Sequence, residues 1–272
     1  SEMCIRDRYY YRLVASNEYG TGMQKGSFTT KILQAITFAG LPAKTYGDAS
    51  FTLGATASSG LAVVYSSSDS NVATVSSNRV TIRKAGTITI TASQAGNSTY
   101  YAAPSVSQTL TVNKKTLTVT AANQSKTYGQ TNPPLTLSYS GFISGESASN
   151  LAPAPTASTS ATTGSWASAY AIFPSGGGSD NYDFNYVWGT LTVNPIVLAS
   201  TNITITPPAS PTYSGSGISP TAASPGVGGF SYSYSGRNGT TYGPSSTAPT
   251  GVGDYTVTAT SSDPNYTGSR TF

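Results

Sequence analysis

The sequence predicts an all-β fold, a tandem series of small β-sandwiches, and three observations carry that expectation. Apolar residues alternate with Thr or Ser in short runs, as in Gly86-Thr-Ile-Thr-Ile-Thr-Ala92, the period of two of half-buried strands. Clusters of Gly, Pro, Asn and Asp break the runs about every eight to twelve residues, the spacing of sandwich strands. Landmarks also recur about eighty residues apart, too far for a solenoid and suited to a chain of small domains.

The repeat is clearest at Thr109-Leu-Thr-Val-Asn113, which returns as Thr190-Leu-Thr-Val-Asn194. Lys44-Thr-Tyr-Gly47 returns as Lys126-Thr-Tyr-Gly129, and more loosely as Thr212-Tyr-Ser-Gly215. Asn97-Ser-Thr-Tyr100, Asn181-Tyr182 and Asn265-Tyr266 mark another equivalent turn. Around Lys114-Lys115 the alternation changes phase: Leu110 and Val112 are even, Leu117 and Val119 odd. One continuous strand would send the two sets to opposite faces, so two strands are expected, and a domain junction between them. Pro195 breaks the second copy in the same place, since proline cannot donate to a ladder.

Composition narrows the function. Charged residues make up 9% of the 272, with a net charge of +4 and a pI near 9.0. No Lys/Arg run exceeds Lys114-Lys115, so the dense basic stripe of a nucleic-acid binder is missing. No apolar run approaches membrane-spanning length. The chain has no histidine and one cysteine, Cys4. Ser1-Glu-Met-Cys-Ile-Arg-Asp7 is similar to the translation of a transposon mosaic-end adapter used in sequencing libraries. Residues 1–8 are therefore read as foreign and Cys4 with them. Phe272 stops inside a strand-like run, so the sequence is expected to be a fragment cut at both ends.

In chain order, residues 9–32 open with Tyr9-Tyr-Tyr-Arg-Leu-Val-Ala-Ser-Asn17, a turn, and a returning strand at Ser27-Phe-Thr-Thr30. This resembles the last hairpin of a fibronectin type III domain. Residues 33–114 carry strands at Ile36–Phe38, Phe51–Ala55, Val63–Val75 with a polar corner inside it, Arg79–Ile82, Gly86–Ala92 and Thr109–Asn113. The run Tyr65-Ser-Ser-Ser-Asp69, Val72-Ala-Thr-Val75, Ala85-Gly-Thr-Ile-Thr-Ile-Thr-Ala92 resembles bacterial immunoglobulin-like repeats, with Tyr65 where that pattern has tryptophan. Residues 115–195, with Lys126-Thr-Tyr-Gly-Gln-Thr-Asn-Pro-Pro-Leu135 and Gly189-Thr-Leu-Thr-Val-Asn-Pro195, resemble the MBG domain of the YGX type. There Leu137–Phe142 and Gly164–Ile172 are expected to be inner strands, and 151–163 a loop or edge. Residues 196–272 form a third, clipped immunoglobulin-like or MBG module. Its Arg237-Asn-Gly-Thr240 predicts a type I′ turn, and Tyr255, after Gly253-Asp254, a tyrosine that caps its corner.

These resemblances imply tandem immunoglobulin-like β-sandwiches in a secreted or cell-surface bacterial protein. The expected role is a structural spacer or stalk. The alternative is an adhesin or carbohydrate-binding module, its partners surface glycans or other extracellular proteins. Phe230, Tyr232 and Tyr234 share a strand face, with Tyr242 expected opposite across the hairpin. Exposed, Tyr232, Tyr234 and Tyr242 could stack on sugar rings; aromatic packing on a half-buried sheet explains the same spacing without a ligand. Without histidine or a native cysteine the usual general bases, thiol nucleophiles and zinc ligands are missing, so no enzyme, cofactor or metal is expected. Asp180 and Asp183 are the closest carboxylates outside residues 1–8, and a polar turn explains them. Lys44, Lys126, Asn113 and Asn194 are similar in type to the Lys–Asn isopeptide pairs of some adhesins, but neither repeat supplies the carboxylate that reaction needs. The sequons at Asn97, Asn123, Asn202, Asn238 and Asn265 are expected by chance in so Ser/Thr-rich a chain.

Sequencing the source DNA without a transposon-prepared library should replace residues 1–8 by another continuation upstream of Tyr9. Recovery of Ser1–Arg8 from that DNA would show them to be native.

Overall fold

The computed structural model describes residues 8–17, 20–208 and 215–272. The adapter-like residues 1–7, with Cys4, lie outside them, as does Thr212-Tyr213 of the looser repeat. Every extended element is a strand, and the helical turns are two short 3-10 segments among the described residues. By contacts the chain divides into two compact units. One comprises Ser1–Leu117, Ile143–Gly145 and Ser179–Asp183, the other Thr118–Phe142, Glu146–Gly178 and Phe184–Phe272.

The first unit begins with a hairpin. Arg8–Asn17 pairs antiparallel with Gly20–Thr29, from Arg8 opposite Thr29 to Asn17 opposite Gly20. The returning strand thus starts at Gly20 and not at Ser27, because unbroken one-to-one pairing carries it through Gly22 and Gly26. Beyond it, a four-stranded sheet is ordered Lys44–Thr45, Ala103–Asn113, Gly86–Gln94, Val64–Ser67. A three-stranded sheet joins Phe51–Thr52, Arg79–Ile82 and Ala73–Ser76, and Ile36–Thr37 pairs with Thr56–Ala57. Gly86–Gln94 buries alternate residues: Ile88, Ile90 and Ala92 face the core while Thr87 is exposed. Ile88 lies opposite Leu110 in the neighbouring strand. Together with Phe38, Leu53, Ala73, Val80 and Val112 they form one continuous apolar cluster. Tyr65 fills the position expected of tryptophan by using both ends of its side chain. Its ring meets Phe38 edge-on at 5.8 Å, and its hydroxyl accepts the Ala55 N–H at 2.8 Å and donates to the Ala55 carbonyl at 3.3 Å.

The phase change at Lys114 is real. Ala103–Asn113 ends there and Lys115–Ala121 begins, with Leu110, Val112, Leu117 and Val119 all buried.

In the second unit a four-stranded sheet is ordered Gln124–Thr127, Gly189–Asn194, Ala169–Ser175, Thr156–Thr159. Ala121, Ala161, Ile172 and Leu191 form its buried cluster, and Thr156–Thr159 is the edge strand expected within 151–163. The inner strand expected from Gly164 starts only at Ala169. Thr162 and Ser165 close a turn first, with the Ser165 N–H on the Thr162 carbonyl at 3.1 Å, and Trp166 is left 67% exposed. Further along, Phe230–Arg237, Asp254–Ser261 and Ser269–Thr271 form a three-stranded sheet in that order. Asn238 and Gly239 both have positive φ, 49° and 88°, as the type I′ turn requires. The Tyr255 hydroxyl donates to the Gly251 carbonyl at 3.0 Å, closing the expected corner. Tyr170 does the same to Trp166 at 3.1 Å.

Ile90 is fully buried in the apolar cluster. Ile90→Asp should therefore cost about 3 kcal/mol or more in denaturant unfolding. A loss below about 1 kcal/mol would place Ile90 on the surface and shift the register by one residue.

Candidate functional site

Strand geometry puts Phe230, Tyr232 and Tyr234 on one face of Phe230–Arg237, and packing consumes that face. Tyr234 is buried, and Tyr232 and Tyr242 are half-buried. Each hydroxyl is engaged within the chain. Tyr232 accepts the Ala222 N–H at 2.7 Å, Tyr234 donates to Ser219 Oγ at 2.8 Å, and Tyr242 donates to the Thr247 carbonyl at 2.7 Å. The rings of Tyr232 and Tyr234 lie 6.4 Å apart, tilted by 33°. Across the hairpin it is Ser245 that lies opposite Tyr234, while Tyr242 lies beside Gly236. The strand partners of Tyr232 and Tyr234 are Ala259 and Val257. The segment after the Asn-Gly turn instead runs along the other edge, where the Tyr242 carbonyl accepts the Gly236 N–H. There the Tyr242 ring meets Tyr255 edge-on at 5.7 Å. The sequence spacing placed these tyrosines on a shared face but could not show which strand flanks it.

The charged candidates are also occupied. Asp180 pairs with Lys84 at 2.8 Å in open solvent. The hydrogen bond and charge of Lys84 hold the Asp180 carboxyl below the usual carboxylate range. A lowered carboxyl stabilises the fold above its unfolded value and loses that effect as pH falls through the folded one. An exposed pair of this kind contributes little. Lys126 is buried, and its Nζ donates to the carbonyls of Gln130 at 3.0 Å and Thr162 at 2.5 Å. The repeat partner Lys44 lies 5.0 Å over the Phe51 ring. Asn194 stands opposite Thr127, not Lys126, in the parallel pair. Among the described residues no group of three or more His, Cys, Asp or Glu could hold a metal. A cleft of about 240 Å³ between Phe38, Leu41, Phe51 and Leu53 has an apolar floor and only Lys44 as a charged lining group.

Two features escape sequence reasoning. Phe173 and Trp188 meet edge-on at 4.9 Å while staying 37% and 65% exposed. The other concerns the repeated landmarks, which meet one another. In the first unit, Asn181 accepts the Lys115 N–H on its carbonyl at 2.9 Å and the Ala85 N–H on its Oδ1 at 3.0 Å. Beside it, Tyr46 and Tyr182 pack edge-on at 5.6 Å, both buried. In the second unit, Asn265 accepts the Ile196 N–H on its carbonyl and the Ala167 N–H on its Oδ1, each at 2.8 Å. There Tyr128 and Tyr266 pack edge-on at 5.9 Å. Each tyrosine of the Tyr-Gly turns is anchored alike, its N–H on the closing Asn carbonyl: Tyr46 to Asn113 at 2.9 Å, Tyr128 to Asn194 at 2.8 Å. Gly47 and Gly129 follow at φ 89° and 80°, a conformation that requires glycine at the turn. The repeat was visible in the sequence, but not that its parts touch.

The fold and these contacts define an all-β protein of β-sandwich build. Within it, residues 117–192 match the family model of the MBG domain (YGX type). Comparison with curated proteins found no match. Among solved structures, the chain is similar to the EC1-4 region of Drosophila N-cadherin, at 11% identity over 97% of this chain and 81% of that one, TM-score 0.27. It is similar to the N-terminal eight Ig domains of DSCAM isoform 1.30.30, at 13% identity over 98% and 40%, TM-score 0.29. It is also similar to the human desmocollin-1 ectodomain, at 10% identity over 96% and 66%, TM-score 0.26.

Replacing the buried ring of Tyr234 should cost about 3 kcal/mol in Tyr234→Ala. A cost below about 1 kcal/mol would place that ring in solvent, where a ligand could reach it.

Proposed function

We propose that the chain is a serial spacer, with modules at 33–114, 115–195 and 196–272 following the end of a fibronectin type III-like domain at 9–32. The spacer would hold another part of a secreted or cell-surface bacterial protein away from its anchor. One observation carries this reading: consecutive strands leave no linker. Ala103–Asn113 and Lys115–Ala121 are separated by Lys114 alone, and Gly189–Asn194 and Ile196–Val197 by Pro195 alone. The MBG match over 117–192 supports a module there. The fully engaged tyrosine hydroxyls and the scattered charge support inertness, since neither offers a converging ligand site or a steering field.

A second reading, an adhesin or carbohydrate-binding module, is favoured by the exposed Phe173–Trp188 pair and not by Tyr232, Tyr234 and Tyr242. Aromatic faces left in water are the ordinary platform for a sugar ring or another protein.

At about 3.3 Å per strand residue a module should measure roughly 25–35 Å, so the spacer reading expects roughly 80–100 Å from end to end. Small-angle scattering should give a rod-like distance distribution, and a compact one would refute the spacer. A glycan array should remain blank; binding abolished by Trp188→Ala would promote the second reading.

A further inference from the structure

We propose that the Asn-Tyr and Tyr-Gly landmarks form a recurrent docking surface whose partner is the adjoining module of the same type. This rests on the modular reading but not on the spacer role. The surface has two parts on each side. The downstream stretch contributes an asparagine and the tyrosine after it, Asn181-Tyr182 or Asn265-Tyr266. The upstream stretch contributes the tyrosine of its Tyr-Gly turn, Tyr46 or Tyr128, and the backbone N–H of Ala85 or Ala167. Those two alanines lie just before the equivalent strands Gly86–Gln94 and Ala169–Ser175. The same four positions therefore meet twice, about eighty residues apart, with the same donors and acceptors.

The asparagine must hold its amide open for this. The Asn181 and Asn265 side-chain oxygens reach Ala85 and Ala167, while their backbone N–H groups are taken by Ser179 Oγ at 3.1 Å and Asp263 Oδ1 at 2.9 Å. Asn265 is buried, so its Oδ1 has no water to return to. The third copy is a natural contrast. Thr99 accepts the Ile32 N–H at 2.8 Å, so the backbone half is kept. The two residues inserted after Asn97 let its Oδ1 turn inward, onto the N–H groups of Thr99 and Tyr100 at 2.8 and 2.9 Å. The hook is absent at that junction.

The test is residue-level hydrogen exchange on the full chain. Asn181→Ala should speed exchange at the Ala85 amide about tenfold, the effect of losing one buried hydrogen bond, with the Ile90 amide unchanged. Asn265→Ala should do the same at Ala167. Asn181→Asp keeps the acceptor and should keep Ala85 protected, while Asn97→Ala should leave both alanines as they were. Unchanged exchange at Ala85 and Ala167 would overturn the proposal. So would a rise at Ile90 alongside Ala85, because Asn181 would then serve folding of the whole unit and not docking. An inert hook with a rod-like scattering profile would sink this inference and leave the spacer standing.

Discussion

The structure depends on a parallel pairing that the chain makes against its own closing strands. Lys44–Thr45 lies parallel to the end of Ala103–Asn113, and Gln124–Thr127 parallel to Gly189–Asn194. The closing strands are fixed by burial, since Leu110, Val112, Leu191 and Val193 are each at most 2% exposed. Their last carbonyls, on Asn113 and Asn194, take the N–H of Tyr46 and Tyr128. That bond carries the tyrosine to the end of the sheet, and the following glycine turns the chain away. Without a buried closing strand there would be no fixed acceptor, and the tyrosine ring would have no set position from which to meet its partner.

How much of this was legible follows from the range of each interaction. Local and periodic features were readable: the inward set Ile88, Ile90 and Leu110, the phase change at Lys114, the Asn238-Gly239 turn and the Tyr255 corner all follow from spacing of a few residues. Features decided by which strand lies alongside were not. Tyr242 was expected opposite Tyr232 and Tyr234, but the returning segment sets Ser245 opposite Tyr234 and Tyr242 beside Gly236. An inner strand was expected from Gly164, but a Thr162–Ser165 turn delays the strand to Ala169. Period-two alternation says that a residue faces one way; it does not say whether another strand covers that way. The tyrosine candidates failed to form an exposed row for the same reason.

Polar groups in this chain hold turns more often than they offer chemistry. Asn97 and Asp263 cap backbone N–H groups in loops, which is where short polar side chains compete best with ladder bonding, and Asn123 takes the Thr190 N–H near the start of a strand. Lys126 shows the same economy in the interior. Its ammonium is buried, and it donates to two backbone carbonyls of neighbouring turns, those of Gln130 and Thr162. Such a lysine has a structural reason to be present, and it needs no covalent partner at Asn194.

Joining small sandwiches in series sets a harder problem than folding one. Apolar contact is non-directional, so rings alone would not fix the angle at which two segments meet. An amide oxygen is directional, because the bond weakens steeply as its angle closes. Placing Asn181 Oδ1 on Ala85, and Asn265 Oδ1 on Ala167, beside an edge-on tyrosine pair combines the two kinds of restraint. The rings add apolar contact, and the amide adds direction. The Lys84–Asp180 pair flanks the Ala85–Asn181 bond, but an exposed ion pair is weakened by every increase in salt. A neutral hydrogen bond is less sensitive to salt, and here it recurs in both copies of the contact.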